Sequence, residues 1–78
     1  MQVISAEIPL MTTASEWLEK FATQLGIEPP SEHTIVTLLD LAGVAAHASE
    51  RTAAPIACFM VGLAGLDPTV ALDAAKRV

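Results

Sequence analysis

The sequence is poor in positive charge. Its 78 residues include only four lysines and arginines against nine aspartates and glutamates, for a formal net charge of −5. The four cations are scattered, at Lys20, Arg51, Lys76 and Arg77. Because nucleic acids and anionic membranes are recognised through clustered cations, we expect neither of them as a partner.

The chain has a single cysteine, Cys58. One cysteine cannot form an intramolecular disulfide, which is typical of proteins in a reducing compartment. No histidine or arginine neighbours Cys58 in sequence, so we interpret it as a structural thiol rather than a nucleophile. The N-terminus lacks the basic segment and the cleavage site of a signal peptide. These features predict a cytoplasmic protein.

Several catalytic motifs are absent. The chain has no glycine-rich phosphate loop, no Cys–His pair and no nucleophile elbow. His47 and Glu50 have the i, i+3 spacing of a metal-binding pair, but a di-iron bundle needs that pair twice, and the only other histidine is His33. We therefore predict that the domain is not an enzyme and that it holds no metal or cofactor.

The longest helix-like apolar segment, residues 53–66, carries no charge. A bilayer span needs about 20 apolar residues, and strands are usually shorter than this segment. We interpret it as one helix buried on nearly every side. Ala54, Cys58, Gly62 and Gly65 would form a stripe of small residues against which a neighbouring helix could pack closely.

Hydrophobic residues make up 53% of this short chain. A domain of this size buries only about 60–65% of the surface that its unfolded chain exposes. Some apolar surface is therefore expected to face a partner, and we predict self-association into a homodimer.

Capping residues and apolar periodicity predict a compact all-α domain over residues 14–78, preceded by a flexible or extended N-terminal arm over residues 1–13. We expect the second and third helices to form an antiparallel hairpin that the first and fourth helices cover. The predicted N-caps are Thr13, Ser31, Thr52 and Asp67. The predicted helices span about residues 14–25, 32–49, 53–65 and 68–76.

Trp17 and Phe21 lie one turn apart on the first predicted helix. We interpret them as core anchors, with a ligand-stacking pair as the alternative. If apolar side chains are left for a partner, the candidate interface residues are Trp17, Phe21, Phe59, Met60 and Leu63.

Polar residues on the second predicted helix fall within an arc of about 140°. We name Asp40, His47, Glu50 and Arg51 the polar seam; Thr37 and Gly43 share its arc. The seam could bind an anion or hold a proton. Alternatively, it is a satisfied polar network at the corner between the second and third helices, or a solvated face.

The segment from Leu38 to Gly65, with its His-x-x-Glu-Arg and Ala-Ala-Pro motifs, resembles a small bacterial domain of unknown function. Glu16, Trp17, Leu18 and Phe21 match the tryptophan helix of that domain. The other matching positions are Asp40, His47, Glu50, Arg51, Ala54 and Pro55. The resemblance covers about residues 14–75.

That domain occurs alone or fused to the C-terminus of molybdenum cofactor guanylyltransferases, the molybdopterin-guanine dinucleotide biosynthesis proteins. The resemblance implies a role near this pathway but no transferase activity, because the catalytic domain has no counterpart here. We expect a non-catalytic accessory or interaction domain that docks on a protein partner, either the guanylyltransferase or the recipient of its product. The alternative is a small-molecule or anion binder that uses Asp40, His47 and Arg51.

Overall fold

The computed structural model describes residues 13–78, which form four α-helices and, within that range, no strand. The all-α prediction is confirmed, and each predicted helix end lies within one residue of the observed end. The predicted N-terminal arm lies outside the described residues, apart from Thr13. The helices are α1 (Ala14–Leu25), α2 (Glu32–Ala48), α3 (Ala53–Ala64) and α4 (Pro68–Lys76).

Local sequence signals explain where α1 and α2 begin. The backbone N–H of Glu16 donates to the Thr13 hydroxyl, and the Glu16 carboxylate accepts from the Thr13 N–H, both at 3.1 Å. This reciprocal pair is the capping box that the sequence predicts. At α2, the Ser31 hydroxyl accepts from the N–H of Thr34 at 3.1 Å. Both side chains satisfy N–H groups that have no partner within the helix.

Glycines close two of the helices. Gly26 after α1 and Gly65 after α3 adopt left-handed backbone conformations, with φ of 73° and 68°. Residues with a Cβ rarely adopt this conformation, so glycine suits both positions. The N–H of Ile27 then reaches back to the carbonyl of Ala22 at 3.0 Å and completes the cap of α1.

The start of α3 differs from the prediction. Thr52 has helical backbone angles, φ −66° and ψ −17°, and its side chain makes no capping hydrogen bond. Instead, the first N–H groups of α3 donate to backbone carbonyls of the turn, Ala53 to Glu50 at 2.9 Å and Ala54 to Arg51 at 3.1 Å. Backbone carbonyls of a tight turn therefore cap α3, in place of the Thr52 hydroxyl that the sequence predicts as the cap.

α2 lies at the centre of the domain, and its main packing partners are α3 and α4. Leu41, only 2% exposed, is the largest fully buried side chain and contacts the alanine-rich faces of both partners. Cys58 of α3 is half-buried against α2, with its Sγ 3.8 Å from the carbonyl oxygen of Leu38. The helical hairpin and the covering position of α4 therefore agree with the prediction.

α1 packs less extensively than predicted. Its Ala22 is buried, and Leu18 lies beside Pro30 and Ile35 where α2 begins. Trp17 and Phe21, however, are 55% and 44% exposed, so the expectation that they are core anchors is wrong. Trp17 and Phe21 lie to one side of the α1 face that carries Leu18 and Ala22, and only that face packs against the rest of the domain.

α3 is not buried on nearly every side, and none of its residues is fully buried. Ala54, Ala57, Cys58 and Val61 are half-buried, while the opposite side of the helix is exposed. The predicted small-residue stripe holds only in its first half. A Cβ added at Gly62 would meet no atom within 4 Å, so no neighbouring helix approaches closely there.

Two leucines of α2 provide a matched test of this packing. Leu41→Ala removes the central buried side chain and should lower the free energy of unfolding by about 2–5 kcal/mol. Leu39→Ala, at a position 66% exposed, should lower it by less than about 1 kcal/mol. Urea unfolding followed by far-UV circular dichroism measures both values. Equal losses would contradict the central position of Leu41.

The helix starts provide a second test. The Asp67 carboxylate accepts from the N–H of Thr69 at 2.8 Å, whereas the Thr52 side chain caps nothing. Asp67→Ala should therefore lower the free energy of unfolding by about 1 kcal/mol, and Thr52→Ala by a few tenths at most. The same urea titration compares them, and a larger loss for the Thr52 variant would refute the assignment.

Candidate functional site

All four residues of the polar seam are exposed. Asp40 and His47 project from α2 about 100–120° around the helix from Leu41, on the same side as the exposed Val36. Glu50 and Arg51 follow in the turn before α3. The seam is therefore the solvent face of α2 and of the corner, which agrees with the solvated-face alternative rather than with a satisfied polar network.

The seam residues are not organised into a site by mutual contacts. Within residues 13–78, no side-chain hydrogen bond joins any two of them. Thr37, at the edge of the same arc, is buried, and its hydroxyl donates to the His33 carbonyl of its own helix at 2.8 Å. Thr37 is therefore not part of the solvent-exposed seam, and its hydroxyl has a hydrogen-bond partner within its own helix.

Metal-ligating side chains do not converge in the described part of the chain. Across residues 13–78, no three histidine, cysteine, aspartate or glutamate side chains lie close enough together to hold a metal ion. His47 and Glu50 keep the i, i+3 spacing seen in the sequence, but no third ligand joins them in this range.

The exposed apolar surface is more organised than the seam. On α1, the rings of Trp17 and Phe21 pack against each other with centroids 4.9 Å apart and an interplanar angle of 32°. We name them the aromatic pair. Together with Lys20 and Gln24 they line a shallow depression of about 190 Å³. An exposed, preformed aromatic pair is a feature typical of protein interfaces.

A second apolar surface runs along α3. Ile56, Phe59, Met60 and Leu63 are between 59% and 75% exposed and follow the i, i+3, i+4, i+7 spacing of one helix face. We name them the outer stripe. The predicted interface set includes three of the four and omits Ile56, although the spacing alone points to it.

A third apolar feature is the groove between α3 and α4. It has a volume of about 310 Å³, with Leu41 among its lining residues and Ala57, Ala71 and Ala74 on its walls. No sequence motif indicates this groove. The alanine side chains on its walls are short, and this leaves the space between the helices open.

The exposure of the seam predicts a small stability effect. Arg51→Ala should change the free energy of unfolding by less than about 1 kcal/mol, because exposed polar contacts contribute little. Urea unfolding at neutral pH measures the change, with Leu41→Ala as the destabilised control. A loss above about 2 kcal/mol would show that Arg51 neutralises a buried carboxylate.

The comparisons with known proteins identify a family and no relative of established function. No helix in residues 13–78 combines the length and apolarity needed to cross a bilayer. No curated protein and no solved structure matches the chain. The model of one protein family, described as a domain of unknown function (DUF6457), matches residues 10–78. Since this match spans nearly the whole chain, the protein belongs to the DUF6457 family.

Proposed function

We propose that this domain is a non-catalytic interaction module, which acts in the cytoplasm and docks on another protein through the aromatic pair of α1. The exposure of Trp17 and Phe21 is the observation that carries the proposal. At 55% and 44% exposure the two rings form an apolar surface patch, and such patches mark interaction sites. Tryptophan is also among the residues most enriched at positions that dominate binding energy.

The shape of the aromatic pair supports this role. The two rings already pack on each other, so little side-chain freedom remains to be lost when a partner covers them. Lys20, on the same depression, can pair with a carboxylate at the rim of the contact. A partner with an apolar residue beside an acidic one suits this surface.

We propose further that the partner is a molybdenum cofactor guanylyltransferase. The resemblance of residues 38–65 to a domain fused to such enzymes supports this choice, since a fused domain and a separate one can serve the same contact.

A direct binding measurement tests the proposal. The purified chain should bind the guanylyltransferase of the same cells with a Kd in the micromolar range, typical of small transient interfaces. Trp17 is the only tryptophan in the chain. With a partner variant that lacks tryptophan, the tryptophan fluorescence of the mixture comes from Trp17 alone, and its emission should shift to the blue as Trp17 becomes buried. Isothermal titration calorimetry gives the affinity.

Matched variants locate the contact. Phe21→Ala should weaken binding at least tenfold, while Val36→Ala, an exposed apolar residue on the solvent face of α2, should leave the affinity within about twofold. No binding of the wild-type chain would refute the guanylyltransferase as partner. Binding that is unaffected by Phe21→Ala would refute the aromatic pair as the docking surface.

A ligand titration addresses the alternative function. Molybdopterin and guanine nucleotides should not bind the isolated chain tightly, because the seam is solvated and its side chains do not converge. Tight binding that Arg51→Ala abolishes would overturn the proposal and establish the domain as a small-molecule binder.

A further inference from the structure

We infer that the outer stripe of α3 pairs with the outer stripe of a second copy of this chain, with the two helices antiparallel. This surface is separate from the aromatic pair, so the inference goes beyond the proposed function and does not depend on it. Three properties of α3 support it: its two apolar faces, the symmetry of its outer stripe, and the lack of charged residues at its ends to offset the helix dipole.

The first property is that α3 is apolar on two opposite sides. The face with Ala54, Ala57 and Val61 is half-buried against its own chain. The outer stripe occupies an arc of about 100° on the other side. No charged residue occurs in α3, so nothing on this helix favours contact with water over contact with another helix. A helix that is apolar all round is normally enclosed.

The second property is that the outer stripe is symmetric about its own centre. Its apolar positions read the same in both directions from the midpoint between Phe59 and Met60. In an antiparallel pair centred there, Ile56 of each copy lies opposite Leu63 of the other. Phe59 and Met60 of both copies then fill the middle, where aromatic and methionine side chains pack well together. The stripe is thus complementary to itself.

The third property is the absence of charges that would offset the helix dipole. α3 has no acidic residue in its first turn and no basic residue in its last. Antiparallel pairing places the positive end of each helix beside the negative end of its mate, which is the favourable arrangement. A parallel pair would place like ends together and would break the match of Ile56 with Leu63.

The exposed area predicts a weak dimer. At the observed exposures the four side chains present on the order of 500 Å² of apolar surface, close to the largest patch on a typical monomer. Stable interfaces bury about 800 Å² on each partner. We therefore expect a monomer–dimer equilibrium with a Kd on the order of micromolar. Since each copy carries a net charge of −5, added salt should strengthen the association.

Paired charge substitutions test both the surface and its register. Sedimentation equilibrium should show the wild-type equilibrium, and Ile56→Glu or Leu63→Lys alone should raise the Kd at least tenfold. Leu39→Lys, at an equally exposed leucine on α2, is the control and should leave the dimer unchanged. Because the stripe is already exposed in the monomer, each variant should keep the wild-type circular dichroism spectrum.

Mixing the two variants tests the antiparallel register. In a mixed pair the introduced carboxylate lies opposite the introduced ammonium, and the other end keeps its apolar contact, so the dimer should return to within about fivefold of the wild-type Kd. A wild-type chain that stays monomeric at millimolar concentration would overturn the inference. So would a dimer that tolerates both single variants, or a mixture that does not recover.

Discussion

The burial of Leu41 between α3 and α4 is the contact on which the rest of the domain depends. Its neighbours there are mainly alanines, including Ala57 and Ala71, which let both helices approach α2 but contribute little volume to the core. Since buried apolar area is the main source of stability, a core of this kind leaves a small margin. Because alanines occupy the positions around Leu41, the larger apolar side chains lie elsewhere, and much apolar surface remains exposed.

The placement of large and small apolar side chains links this packing to function. On α1 and α3, small residues such as Ala22 and Ala54 face the domain, while the bulky Trp17, Phe59 and Leu63 face outward. A monomer that gained stability only from its own core would bury the bulky residues. The reverse arrangement is physically reasonable if the bulky residues contact other proteins, as proposed above for the aromatic pair and for the outer stripe.

The polar seam shows why residue type alone does not define a site. Asp40, His47 and Arg51 share a helix face and have the chemistry to bind an anion. In the structure they remain solvated, because burial on α2 is centred on Leu41, about 100–120° around the helix from Asp40 and His47, and reaches only Thr37 at the edge of the seam's arc. A binding site needs convergence from several elements, and the seam draws only on α2 and the turn that follows it. Membership of the DUF6457 family adds no assigned activity to these residues.

Much of the secondary structure was determined by the sequence itself, because helix ends depend on local interactions. The Thr13 capping box, the Asp67-Pro68 start of α4 and the glycines at 26 and 65 act within a few residues of one another and can be recognised without a fold. Only the tertiary structure decided which apolar face is covered. α3 is apolar on all sides, so hydrophobicity alone does not say which face is buried, and the choice between Ala57 inside and Leu63 outside depends on how α2 and α4 pack around Leu41.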